Sequence, residues 1–363
     1  MVICYLAKLF NIENISLTTM IGEDNPSNLN IEKSRLFCRL EKSNVKISFN
    51  LIDYRNNYFT SDDLNKIIEF YNGFENRDQL IHWMKERPHG VAYIHEVDGN
   101  KNIIVVIPTS DYNGKYAKEC RDNIFKGLHM VFVESGGRGD YYFNSAHNIN
   151  IGIKIAMGYN PKWIVYSGDD MIKIDSIFKL VKELEKFNNK EVDAVFTLPG
   201  QYHSAPMFLG KPKFLFHIAL RILKKISRRF TYVEKTYFQL KRFNDQVYFP
   251  RYRYTSGFKY KIVNFIFFKN IENFTNFLSF GIFSSCFIER SGGKLFDETY
   301  INEDDDTDLS IRIKDMARAT AVVDFRIKEY IGSTLGVGGA RTVRAIPGWT
   351  YFSYKMDKRY FHG

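Results

Sequence analysis

The sequence predicts an α/β fold, with a mostly parallel sheet flanked by helices and a small α+β appendage at the N-terminal end. Two observations carry this reading. Short apolar runs alternate with helical patterns between residues 102 and 200, at the spacing of strands joined by crossover helices. One run, Trp163-Ile-Val-Tyr166, ends abruptly in Ser-Gly-Asp-Asp-Met, which places Asp169 and Asp170 where parallel sheets bind ligands.

The elements follow in order. Val45–Ile52 alternates as a strand. Ser61–Tyr71 opens on a Ser-Asp-Asp cap and continues with helical spacing at Leu64, Ile67, Ile68 and Phe70. A second helix over Arg77–Glu86 stops before Pro88 and Gly90, and Val91–Val97 alternates into an Asp-Gly-Asn turn. These residues form the appendage, in which no chemistry is visible. The main domain opens with Ile103–Ile107, a buried strand stopped by Pro108 and Thr109. A helix over Tyr116–Leu128, a strand Met130–Val133 ending at Glu134-Ser-Gly-Gly, and a helix Ser145–Met157 follow. Next come the Trp163 strand, a helix from Ser176 to Phe187 and a strand Ala194–Leu198. No Gly-x-Gly-x-x-Gly follows a strand, which disfavours a standard dinucleotide fold.

Two carboxylates held side by side repel, and a hard cation, Mg2+ or Mn2+, is the simplest offset at Asp169-Asp170. A solvated Gly-Asp-Asp turn is the bland alternative. A second acidic cluster, Glu303-Asp-Asp-Asp-Thr-Asp308, leads into a helical pattern at Leu309, Ile313 and Met316. A helix N-terminus favours negative charge, but a cap needs one carboxylate, and five acids stand within six residues here.

The 363 residues carry a formal charge of +10, which points to an anionic partner: a nucleotide, a phospholipid surface or nucleic acid. Fifteen Lys or Arg against two acids between Lys211 and Lys269 give that segment +13. Aromatics are interleaved with the charges, and Phe214–Phe230 reads as a basic amphipathic helix with a Leu215, Ile218, Ala219, Ile222, Ile226 stripe. Interfacial contact with an anionic membrane fits that pattern, as does a solvated helix packed on the core; nucleic acid ranks below both. Four cysteines without Cys-x-x-Cys spacing fit a reducing compartment. With no signal-peptide pattern and no apolar run long enough to span a bilayer, the expectation is a cytoplasmic protein, soluble or peripheral on the membrane.

Taken together, Ile103-Ile-Val-Val-Ile-Pro-Thr109, Val131-Phe-Val-Glu-Ser-Gly-Gly137, Asn148-Ile-Asn-Ile-Gly152, Tyr166-Ser-Gly-Asp-Asp-Met171, Phe296-Asp-Glu298 and Asp305-Asp-Thr-Asp-Leu-Ser-Ile-Arg312 resemble the family 2 glycosyltransferases. The motifs fall in that family's order over residues 102–330. The resemblance implies the Rossmann-like GT-A fold and a nucleotide-diphosphate-sugar donor lying across the strand ends. It implies that Pro108, Thr109, Glu134, Asn150 and Gly152 line the nucleotide-sugar site together with Asp169. Gly168-Asp169-Asp170 takes the place of the family's Asp-x-Asp motif, with Asp170 as the metal ligand and Asp169 assisting; Gly168 departs from the pattern. Asp305-Asp306 takes the place of the catalytic Glu-Asp pair, with Asp306 preferred as general base and Asp305 as the alternative. Arg341 and Arg344, with Lys355, lie where some members carry a flexible basic tail that closes on the diphosphate, although surface cations would look the same. Tyr330-Ile331-Gly332 stands where a His ligand is often found.

This divides the chain into an appendage (1–100), a nucleotide-sugar half (101–200), a basic aromatic insert (201–280) and an acceptor half with the acidic cluster and tail (281–363). The implied activity is inverting transfer of a sugar to a hydroxyl of a lipid-linked or protein-linked glycan. A nucleotidyltransferase is the rival enzyme class, though Asp111-Tyr-Asn-Gly114 lacks the Gly-rich, Arg/Lys signature it would need after the first strand. A catalytically inactive nucleotide-binding protein of the same fold is the other alternative.

Overall fold

The computed structural model describes residues 14–19, 46–51, 61–136, 140, 142–198, 204–226, 265–277, 279–301, 303–330 and 343–360. The chain divides into two compact units, Met1–Asn56 and Asn57–Gly363. In the first, β1 (Asn14–Thr19) and β2 (Lys46–Leu51) pair in parallel, Asn14 opposite Lys46.

The second unit is built on a seven-stranded mixed sheet of order β12-β8-β11-β6-β4-β5-β3. Its strands are β3 (Tyr93–Val97), β4 (Asn100–Thr109), β5 (Leu128–Glu134), β6 (Trp163–Ser167), β8 (Ala194–Phe196), β11 (Phe280–Ser284) and β12 (Thr320–Val322). β4, β5, β6, β8 and β12 run one way, while β3 and β11 run against them. The central strands carry apolar residues on both faces, as in Ile103–Ile107, because both faces are covered. Ile103, Val105 and Ile107 enter the core on one face, with Phe132, Val165, Ala117 and Leu180. Ile104 and Val106 enter the other, with Val133, Ile164, Ile149 and Ile153.

Helices α1 (Leu64–Asn72) and α2 (Arg77–Glu86) start on the side chains of Asp63 and Asn76, each accepting backbone N–H groups of its first turn. They belong to the larger unit: the Tyr71 hydroxyl donates to the Val343 carbonyl at 3.2 Å, and Arg77 lies 5.3 Å from the Tyr354 ring centroid. β3 is an edge strand of the main sheet, paired with β5. The unit boundary therefore falls at Asn56–Asn57 instead of near residue 100. The sequence gives no sign of this, because an exposed edge strand alternates like any surface strand.

The helix expected over Tyr116–Leu128 is shorter. After α3 (Lys115–Glu119) the chain makes a π-helical turn over Cys120–Ile124, closed by the Phe125 N–H on the Cys120 carbonyl at 2.9 Å. Gly127, at φ 98°, then turns it into β5. α4 (Ser145–Met157), β7 (Met171–Lys173) and α5 (Ile177–Leu184) follow. β9 (Ser204–Pro212) and β10 (Phe268–Phe277) form an antiparallel pair flanking α6 (Phe214–Ile226). α7 (Ser285–Arg290), α8 (Asp305–Met316), β13 (Ile327–Glu329) and α9 (Ile346–Tyr360) complete the described chain. Among the described residues no helix is long and apolar enough to cross a membrane. Residues 227–264 of the basic aromatic insert lie outside the described residues.

Candidate functional site

The parallel strands β4, β5 and β6 end together at Thr109, Glu134 and Ser167. Pairing of β4 with β6 stops at Val106–Tyr166, while its pairing with β5 continues to Thr109–Glu134. Pro108, which has no N–H to give, stands just past the β6 ladder, and the two strands separate there. Into the opening goes the turn Gly168-Asp169-Asp170, anchored by the Gly168 N–H on the Ser279 carbonyl at 2.8 Å. The Thr109 hydroxyl donates to Asp169 Oδ2 at 2.7 Å. The Cys120 thiol, supplied by the π turn and kept protonated by burial and the Asp169 charge, donates to the Asp169 carbonyl at 3.1 Å.

β13 closes the other side of the turn. It pairs antiparallel with β7, Glu329 opposite Met171. The Tyr330 N–H donates to the Asp170 carbonyl at 2.8 Å. The segment at the position of the family's histidine thus lies beside the carboxylates and brings Glu329, a third acid that no sequence motif marks. Ile331 and Gly332 lie outside the described residues.

The second acidic cluster is held by α8. Glu303 (φ 97°) and Asp304 (φ 64°) turn the chain through left-handed backbone immediately before Asp305. The backbone of α9 presses on this turn: a Cβ on Gly348 would lie 2.4 Å from the Glu303 carbonyl oxygen. Ser310 ties the helix to the end of β10, donating to Asn276 Oδ1 at 2.7 Å and accepting from the Phe277 N–H at 3.2 Å. Lys355 on α9 bridges Asp308 Oδ1 at 2.7 Å and Asp297 Oδ2 at 3.0 Å.

Electrostatics separates these acids from structural ones. Asp193, just before β8, is held at about 2 against its burial by Arg318 and Arg290, and the Arg326 guanidinium holds Asp175 at about 2. Asp169 moves the other way, raised by burial despite the Thr109 bond. Asp305 is raised to about 8, by burial first and then by the neighbouring Asp306 charge. The Tyr166 phenol is raised well above its ordinary value, by burial first and then by the charges of Asp305, Asp306, Glu329 and Asp170. One buried hydroxyl therefore feels both acidic clusters. Tyr166 had been legible only as an apolar strand residue.

The remaining expected residues take varied places. Glu134 sits at the strand ends, but its carboxylate is engaged: Oε1 accepts the Tyr112 N–H at 3.2 Å, and Oε2 lies 2.6 Å from His95 Nε2. Asn150 is buried and spent on the 295–298 segment. Its Nδ2 donates to the Phe296 carbonyl and to Glu298, and its Oδ1 accepts the Leu295 and Phe296 N–H groups. Gly152 is a packing glycine, since a Cβ there would lie 2.4 Å from Val106 Cγ1 and 2.9 Å from Val133 Cγ2. Arg344 is fully buried instead of lying on a flexible tail; its guanidinium donates to the Ser61 carbonyl at 2.6 Å and to Asp62 at 2.5 Å. Arg341 lies outside the described residues.

The side-chain donors of the Gly-Asp-Asp turn are carboxylate oxygens, the donor type a hard cation takes, and burial disfavours the charged form of Asp169. Among the described residues, the group of three whose ligand atoms lie close enough to share a metal ion is His89, His147 and Glu298. Comparison of the chain with protein-family models, with curated proteins and with solved structures gives no match.

Proposed function

We propose that this protein is an inverting glycosyltransferase of the GT-A type, moving a sugar from a nucleotide-diphosphate-sugar to an acceptor hydroxyl. The observation that carries the reading is that α8 and the Asp170 turn both lie near Tyr166: Ser310 of α8 accepts the Phe277 N–H at 3.2 Å, the Phe277 ring centroid lies 6.3 Å from that of Tyr166, and the charges of Asp170, Asp305 and Asp306 all oppose ionisation of the Tyr166 phenol. Single displacement at an anomeric carbon needs two charge functions on opposite sides of the reacting centre. One offsets the charge developing on the departing diphosphate, and the other removes the acceptor proton. A Mn2+ or Mg2+ ion held by Asp170 and Asp169 would supply the first. Asp305 and Asp306 supply the second. Adjacent buried carboxylates do not both ionise readily, so Asp305 holds its proton and Asp306, the more exposed, is the base. Attack by the deprotonated hydroxyl breaks the sugar–phosphate bond from the opposite face, hence inversion.

The acceptor is proposed to be a lipid-linked glycan presented at the cytoplasmic face of a membrane. In support, α6 exposes Phe214, Leu215, Ile218, Ile222 and Ile226 beside the exposed Arg221 and Lys225. A protein-linked glycan is the other acceptor consistent with the site chemistry. The test is calorimetric titration with UDP, GDP and dTDP, with and without Mn2+. Metal-dependent binding of one nucleotide, lost in Asp170→Asn, is the expected result. No binding of any nucleotide with or without metal would overturn the proposal.

A further inference from the structure

We infer that His89, His147 and Glu298 form a second metal site, for a borderline divalent cation such as Zn2+, that clips three separate segments together. It does not depend on the transferase reading. One ligand atom from each of the three residues lies within 4.8 Å of the others. Each residue comes from a different part of the chain: the loop before β3, the first turn of α4, and the segment leading to α8.

The geometry is that of ligands around a common centre. Glu298 Oε2 lies 3.1 Å from His147 Nδ1 and 3.8 Å from His89 Nδ1. With metal–nitrogen and metal–oxygen bonds of about 2.0–2.2 Å at tetrahedral angles, neighbouring donors stand about 3.4 Å apart. The two observed separations straddle that value. The imidazole centroids lie 4.0 Å apart, with the ring planes tilted by 37°. His89 Nδ1 faces the same carboxylate oxygen as His147 Nδ1. At 3.8 Å it is too far from Oε2 to be a hydrogen-bond partner. An ordinary His–Glu pair therefore accounts for His147 and leaves His89 unexplained.

The surroundings hold the ligands in place. The other carboxylate oxygen, Oε1, accepts from Asn150 Nδ2 at 3.0 Å and meets Lys294 Nζ at 3.2 Å, which leaves Oε2 for the imidazoles. Asn144 fixes both sides at once. Its Nδ2 donates to the Glu298 carbonyl at 2.7 Å, and its Oδ1 accepts the His147 N–H at 2.8 Å. Arg87, the nearest cation on the loop, turns its guanidinium to the Phe143 carbonyl at 2.8 Å. Outer-shell bonds of this kind fix ligand orientation. Two imidazoles and one carboxylate select Zn2+, Co2+ or Ni2+ over Mg2+. All three residues are partly exposed, so a fourth position is open to water.

Metal-free protein titrated with Co2+ in excess Mg2+ should bind one equivalent with the strong visible absorption of a four-coordinate ion, displaced by Zn2+. His147→Asn and His89→Asn should lose that absorption while keeping the far-ultraviolet circular dichroism, and Asp170→Asn should retain it. Asn150→Ala should weaken Co2+ binding by about 10–100-fold. No visible band in the unsubstituted protein, or a band that survives both histidine substitutions, overturns the inference. A readout needing no variant is carbethoxylation mapped by peptide mass. Zn2+ should protect His89 and His147, and equal modification with and without Zn2+ overturns the inference too.

Discussion

The Thr109 hydroxyl donates to Asp169 Oδ2 at 2.7 Å, joining the end of one central strand to the turn that follows its neighbour. This bond is the main force opposing the burial that raises Asp169. Thr109→Val keeps the shape and removes the donor, so the unfolding free energy should fall by about 1–3 kcal/mol in denaturant titration. Asp169 should rise further, so Mn2+-dependent nucleotide binding should weaken more at about pH 6 than at about pH 8. Equal weakening at both would separate the hydroxyl from the carboxylate's ionisation.

Asp306 is the proposed base because it is the more exposed of two adjacent carboxylates that resist joint ionisation. Asp306→Asn should leave nucleotide affinity unchanged and lower the transfer rate by about 10²–10⁴-fold. Undiminished transfer in this variant, together with loss in Asp305→Asn, would move the base by one residue.

Asp305 gives a signed pH dependence. Its carboxyl is raised from 3.8 to about 8 in the folded chain. The folded state therefore holds a proton that the unfolded state releases, and the associated stability is full below about pH 4 and lost as pH rises towards 8. In chelator, the difference in denaturation midpoint between wild type and Asp305→Asn should move in favour of Asn across that window. A pH-independent difference would mean that Asp305 is ionised throughout.

Lys355 holds α9 to the acidic helix through Asp297 and Asp308. Asp308 is buried and keeps Arg312 as its other partner. Lys355→Met should cost about 1–3 kcal/mol, less than a wholly buried pair, since the ammonium is partly exposed. Thermal unfolding in low and high salt checks this, and a large salt dependence would recast the bridge as a surface effect.

Gly152 distinguishes packing from ligand contact. An added methyl would press on Val106 and Val133, so Gly152→Ala should destabilise by about 1–3 kcal/mol. Nucleotide affinity per folded molecule should stay the same. Intact stability with lost binding would return Gly152 to the ligand site.

Local sequence carried the central strands Ile103–Ile107 and Trp163–Tyr166, the helices α2 and α4, and both acidic clusters. Apolar runs such as Ile103–Ile107 and the stripe of α4 carry their periodicity locally, and the bounds of α2 and α4 agree with it. Which polar residues the fold uses up depends on tertiary contacts. Asn150 and Arg344 look like ligand groups in one dimension, but each is spent on a partner far along the chain, Phe296 and Asp62. The antiparallel insertion of β11 between β6 and β8, and the meeting of His89, His147 and Glu298, are likewise long-range pairings. Such contacts depend on how strands order and how loops close in space, and local composition does not encode that.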